Sequence, residues 1–317
     1  MSLLPDNNSA VSEIAIWFLG KQTRDAKGNL IFTADEMRVV ADAAVEYRAK
    51  ADPAPYAGEV VADGRFSESE IDGFLAIAAK KCPSLAQGDK LSRLKSLFMP
   101  VMHNGKCYFN GFAPGTYLGK NMTWRSLLSI PHCLARKGFT QQRWNEVGWD
   151  EIDAYLKEFS PEFNACDPDL SAFRARGGKI IMTTGWEDQT IPPAPIIDYY
   201  ERVCEKDGGL DETKKYFRLF CLPGCAHGGG KGRWATACPG GNMWRSMLLD
   251  WCEKGKAPES GKVWCAERKL SLPLAPYPGL FVKSAGGEWQ TVNTERRRVA
   301  HIDEMCLQTK KDVKDVK

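Results

Sequence analysis

Apolar and polar residues follow two different patterns along this chain. The first half has helical spacing. Thr33 and Glu36 sit three apart as the ends of a capping box, and Met37, Val40, Ala44 and Tyr47 then recur on one helical face. Ser67 and Glu70 repeat the device ahead of Ile71, Phe74, Leu75 and Ala78. Leu91, Leu94 and Phe98 predict a third amphipathic helix. Residues 51–65, between the first two helices, are rich in proline, glycine and alanine and read as loop. Residues 103–119 are aromatic and glycine-rich, which predicts turns and short strands.

The second half changes to short continuous apolar runs. Residues 179–184 (KIIMTT) suit a buried parallel strand, and a loop containing Trp186 and Asp188 follows. A helix is expected from Pro192, where proline suits the first turn, burying Ile196, Ile197, Tyr200 and Val203 up to Gly208 and Gly209. Residues 216–222 (YFRLFCL) predict a second strand, broken by Pro223 and Gly224, which leads His227 into a glycine-rich loop. A last helix carries Met243, Trp244, Met247, Leu248 and Trp251 and stops at Gly255. Strand, loop, helix, repeated, predicts an α/β fold with part of a doubly wound sheet.

Composition narrows the function classes. The 317 residues suffice for one large domain or a core with an insertion. Lysine and arginine (43) exceed aspartate and glutamate (40) by only three, and no basic stripe is interleaved with aromatics, so nucleic acid is not an expected partner. The lysine- and aspartate-rich residues 310–317 read as a solvated tail. The longest apolar runs, such as 14–19, fall far short of a membrane span, and the first residues lack a signal-like pattern. A cytoplasmic location and no membrane partner are therefore expected, with secretion, and a disulfide or two, as the alternative if an upstream segment is missing. The eleven cysteines form no CxxC pair and no zinc-spaced cluster with histidine, so most read as small buried hydrophobes or free thiols. Cys221 and Cys225 are four apart, but Pro223 and Gly224 lie between them, and no metal is expected there.

Two residues stand out as chemistry-bearing. In open α/β sheets, active groups lie on loops beyond the carboxyl ends of strands. Asp188 and His227 both meet that condition, in the order acid then histidine that α/β-hydrolases use after a serine nucleophile. Such a histidine takes a proton from a hydroxyl and returns it to the leaving group, while the carboxylate fixes its tautomer. From spacing alone, Asp188 reads more readily as a cap for the helix beginning at Pro192, and His227 more readily as an ordinary loop histidine, than as catalytic groups. Trp186 and Trp234 lie beside this position and could flank an aromatic substrate, although tryptophan at a strand end is more often core. Adjacent His132 and Cys133 would point apart on any regular element, and the glycines at 228–232 lack the ending of a phosphate loop.

Residues 167–203 (DPDLSAFRARGGKIIMTTGWEDQTIPPAPIIDYYERV) and 216–230 (YFRLFCLPGCAHGGG) resemble the tannase/feruloyl esterase family of α/β-hydrolases. Residues 251–260 and 272–281 resemble its closing segments, and 84–119 more loosely resemble its lid. The resemblance implies an N-terminal segment at 1–22, a helical, loop-rich lid at 23–165, the C-terminal part of the hydrolase core at 166–283 and an extension at 284–317. It implies hydrolysis of a phenolic (galloyl- or feruloyl-like) carboxylic ester, with Asp188 and His227 at the triad positions and no cofactor.

The departures from the family matter as much. No GxSxG or GCSxGG turn occurs, and Ser9, Ser12, Ser126 and Ser129 lack flanking glycines. Gly228 follows His227 where the family often has cysteine, Cys225 is not an obvious substitute, and Ala275 replaces another cysteine; these losses agree with a reducing compartment. The family's lid often carries a calcium loop, but 51–65 keeps only Asp52 and Asp63, too few for the six or so oxygen ligands calcium takes, so no metal is expected. The expectation is an esterase completed by a serine-bearing upstream half, from the same gene or a partner. A non-catalytic module of the same descent, and an enzyme with an unrecognised nucleophile, are the alternatives.

Overall fold

The computed structural model describes residues 9–51, 66–120, 122, 147–222, 225–227, 236–237, 241–265, 270–283 and 289–293. Helices α1 (Ser9–Thr23), α2 (Ala34–Ala51), α3 (Glu68–Lys81) and α4 (Lys90–Phe98) come first. Both capping boxes form. Glu36 N–H donates to Thr33 Oγ1 (3.1 Å) while Thr33 N–H donates to Glu36 Oε2 (2.8 Å), and Ser67 and Glu70 do the same for α3. The faces read from spacing are the buried ones: Met37, Val40 and Ala44 on α2, and Ile71, Phe74, Leu75 and Ala78 on α3.

Strands β1 (Val101–His103) and β2 (Lys106–Phe109) form the short antiparallel hairpin expected in the aromatic stretch. Its turn, Asn104 (φ 48°) and Gly105 (φ 76°), has both central residues left-handed, the conformation that matches strand twist in a two-residue hairpin. Helix α5 (Trp149–Phe163) and the short α6 (Ser171–Ala175) follow.

The unit that positions the site is β3 (Ile180–Gly185), α7 (Pro193–Asp207), α8 (Leu210–Thr213) and β4 (Phe217–Leu222). The strands pair in parallel, in register from Ile180 opposite Phe217 to Gly185 opposite Leu222. Parallel strands joined by a helix must be covered on both faces, and alternate residues of β4 show how this is done. Phe217 meets Tyr200 of α7 edge-on, with ring centroids 4.9 Å apart, and, with Leu219, joins the main core. Phe220 and Leu222 point the other way, into a second cluster with Trp244. Trp244 belongs to α9 (Gly241–Lys254), so α7 and α9 cover opposite faces. Each fully buried phenylalanine of β4 is worth roughly 1.5–3 kcal/mol. Helix α7 ends where Gly208 takes φ 89°, a left-handed cap that strains any residue with a Cβ.

Antiparallel strands β5 (Thr236–Ala237), β6 (Gly261–Cys265) and β7 (Leu270–Leu274) form one sheet, and β8 (Gly279–Lys283) pairs with β9 (Trp289–Asn293). Tyr277 N–H donates to Leu219 O (2.7 Å), tying the β7–β8 connection to β4. The main core runs from Val11 to Tyr277, so the helical first half and the β3–β4 unit share one apolar interior. Among the described residues, no helix is long and apolar enough to cross a membrane. The 51–65 segment, apart from Ala51, and the His132–Cys133 pair lie outside the described residues.

Candidate active site

Strands β3 and β4 end side by side, and backbone hydrogen bonds continue their pairing into the loops. Trp186 N–H donates to Leu222 O (3.0 Å) and Glu187 N–H donates to Cys225 O (3.1 Å). This contact keeps the two loops in register beyond the sheet, so a residue three positions after Gly185 faces one two positions after Cys225. Those residues are Asp188 and His227.

His227 Nδ1 lies 3.2 Å from Asp188 Oδ2. The other carboxylate oxygen is used locally: Asp188 Oδ1 accepts from Thr190 N–H (2.9 Å) and Ile191 N–H (2.7 Å). One oxygen braces the approach to α7, although the helix itself is capped at Pro192, and the other faces the imidazole. A carboxylate held by two amides cannot swing away without breaking them, so the loop orients it for His227. The Asp188 side chain is 13% exposed and that of His227 is 31% exposed, so the histidine is the more solvent-accessible of the two. In the tautomer whose Nδ1–H donates to the carboxylate, Nε2 carries the lone pair and can take a proton.

Two further residues, not anticipated from the sequence, join this arrangement. Gln189 Oε1 accepts from His227 N–H (3.3 Å), so consecutive residues of one loop hold the backbone and the ring of the same histidine. Thr116, from the glycine-rich first-half segment, donates from Oγ1 to Trp186 O (3.5 Å). A periodicity argument has no means of finding either, because both are single polar contacts across long sequence separations.

The flanking tryptophans fare differently. Trp186 is only 5% exposed, which favours the core alternative over a ligand-facing indole in this conformation. Trp234 lies outside the described residues. Cys225 is disulfide-bonded, the state that goes with the export alternative rather than with a reducing compartment. The bond anchors the chain two residues before His227. Cys82, Cys107, Cys166, Cys204, Cys221 and Cys252 form no disulfide. No group of three metal-ligating side chains occurs among the described residues.

Comparison with known proteins places this geometry. The family model for tannase and feruloyl esterase matches residues 138–297, just over half the chain. Feruloyl esterase B of Aspergillus niger is 33% identical over 134 residues, covering 38% of this chain and 26% of that protein. The mono(2-hydroxyethyl) terephthalate hydrolase of Piscinibacter sakaiensis is 31% identical over 156 residues, covering 46% of this chain and 24% of that protein. These matches span about a quarter of the relatives' length. Among solved structures, feruloyl esterase B of Aspergillus oryzae superposes with a TM-score of 0.71 at 18% identity, covering 90% of this chain and 62% of that one. The tannin acyl hydrolase of Aspergillus niger gives 0.62 at 15% identity, with 95% and 58% covered. The fold is thus of the kind found in these esterases, and the chain belongs to the tannase and feruloyl esterase family.

Proposed function

We propose that this chain supplies the acid–base part of a serine-type carboxylic ester hydrolase acting on phenolic, galloyl- or feruloyl-like esters. The observation that carries this reading is the 3.2 Å contact between His227 Nδ1 and Asp188 Oδ2 at the carboxyl ends of two parallel strands. Family membership supports ester hydrolysis as the reaction.

In this reading His227 Nε2 accepts the proton of a hydroxyl as its oxygen attacks the ester carbonyl carbon. The tetrahedral intermediate collapses when the imidazolium returns that proton to the departing alcohol oxygen. Water repeats the cycle on the acyl-enzyme, releasing the acid and restoring the hydroxyl. Asp188 holds Nδ1–H and offsets the imidazolium charge. The chain contains no glycine-flanked serine turn, so the hydroxyl and the oxyanion-binding donors come from a segment outside the described residues, most simply a complementing serine-bearing half. Parallel strands β3 and β4 would then continue into a larger doubly wound sheet, and the helices before Trp149 would lie over the acyl group as a lid. The disulfide at Cys225 supports an oxidising compartment over the cytoplasm.

The missing glycine–serine turn also favours a second reading, a binding or structural module that retains the dyad by descent. Aryl-ester turnover separates the two. The chain is assayed alone and mixed with the serine-bearing half of a family member. Turnover that appears on mixing and is lost in His227→Ala supports the hydrolase. Turnover on mixing that His227→Ala leaves unchanged removes this residue from the mechanism. No turnover in the mixture leaves the module as the better reading.

A further inference from the structure

The opposite end of the β3–β4 pair carries a polar cleft. Its volume is about 410 Å³, and Lys179, Lys214, Lys215 and Arg218 line it against one lining carboxylate, Asp211, with Trp251 beside them. Lys179 immediately precedes β3, and Arg218 is the second residue of β4, whereas Asp188 and His227 lie past the other ends of the same strands. Six residues of strand at about 3.3 Å each put roughly 15–20 Å between the two places. The cleft is therefore separate from the candidate active site.

Its charges are incompletely compensated. The Arg218 side chain is 5% exposed, while its ion-pair partner Glu259 (2.6 Å) is 70% exposed. Arg218 also donates from Nη1 to Lys214 O, and its buried Nε has no hydrogen-bond partner among the described residues. A buried guanidinium with an unused donor and a counter-ion mostly in water is under-satisfied. The Trp251 ring holds two cations at once, the Arg218 guanidinium at 5.2 Å and the Lys179 ammonium at 5.4 Å from its centroid. Lys179 Nζ donates to Lys215 O (3.0 Å), and Lys215 pairs with Glu212 (2.5 Å). Lys214 has no carboxylate partner among the described residues. The second residue of the strand that leads to the His227 loop is thus a buried cation lining this cleft.

We infer that this cleft is a binding site for a small oxyanion-bearing molecule, a phosphate or a carboxylate, held by Lys179, Lys214 and Arg218 beside Trp251. Charge-assisted hydrogen bonds from lysine and arginine recognise both kinds of oxyanion, and the volume suits a molecule larger than the anion alone. The inference does not depend on the hydrolase reading. Asp211, on the same wall, opposes the anion and sets its affinity below what the cations alone would give.

Isothermal titration of the whole chain with inorganic phosphate, and separately with glutarate, at constant ionic strength in chloride tests this. Saturable heat with phosphate, glutarate or both is expected, and the stronger of the two identifies the oxyanion. Binding should weaken at least about tenfold in Lys179→Gln/Lys214→Gln, and should tighten severalfold in Asp211→Asn. The gain of affinity in Asp211→Asn guards against a misfolded lysine variant. No saturable heat from either anion in the wild-type chain overturns the inference, as do heats that none of these substitutions changes.

Discussion

The Cα of Gly185 packs so closely on the Cys225 carbonyl that a Cβ there would overlap the Cys225 carbonyl group. This contact lies where the β3 and β4 loops meet, with the Glu187–Cys225 hydrogen bond beside it. It explains glycine at the end of β3, since any side chain would push the histidine loop off the aspartate loop. Gly185→Ala should cost about 1–3 kcal/mol of stability, the usual range for overpacking. It should also separate Asp188 from His227. Chemical denaturation measures the first effect, and ester turnover of the complemented enzyme the second.

Asp188 uses its two oxygens for different tasks. Asp188→Asn keeps an oxygen available to the Thr190 and Ile191 amides but removes the negative charge beside His227. Turnover of the complemented enzyme should fall by roughly 10³–10⁴-fold with the fold intact. Circular dichroism checks that the fold is intact. A loss of less than about tenfold would mean that the contact does no chemistry.

Gln189 holds His227 through its main chain. Gln189→Ala should cost about 0.5–1.5 kcal/mol, one hydrogen bond's net worth. Turnover should fall with little change in KM, because the substitution loosens the histidine and removes no group from the substrate. Gln189→Glu keeps the acceptor and should restore much of the turnover.

Far from the site, Glu36 closes the first capping box and also accepts from Lys90 Nζ (2.6 Å) and Ser84 Oγ (2.6 Å). Burial raises its pKa, but the hydrogen bonds from Lys90, Ser84 and Thr33 together outweigh burial and leave it below the ordinary glutamate value. A depressed folded pKa contributes stability that is fully present above the unfolded value of about 4.3 and lost as pH falls through the folded one. Denaturation midpoints of the wild-type chain should therefore drop below about pH 4.5. Glu36→Gln should be less stable at neutral pH and show a shallower acid decline.

Much of this architecture was legible before any coordinates, for identifiable reasons. Strands β3 and β4 are mostly apolar runs because both their faces are covered, and α7 is bounded by Pro192, whose ring fixes φ, and by Gly208, which tolerates the left-handed φ of the cap. Helix α1 was not, because Ile14, Ala15, Ile16 and Trp17 are all buried and leave no polar face to set a period. Strand β7 hides for another reason. Pro273 lies within it opposite Lys262, tolerable because β7 is at the edge of its sheet. At the site, strand-end position and the acid-then-histidine order singled out Asp188 and His227. The roles of Gln189 and Thr116, and the bond at Cys225, depend on how distant loops meet and have no local sequence signature.

The central claim is that Asp188 fixes the His227 ring in the tautomer with its proton on Nδ1. Nitrogen-15 NMR of the histidine side chains at pH 8, in the wild-type chain and in Asp188→Asn, tests it directly. A His227 signal showing hydrogen on Nδ1 and a bare Nε2, with that preference lost in the variant, is the predicted result. A wild-type His227 carrying its proton on Nε2, with the same spectrum in the variant, would contradict it.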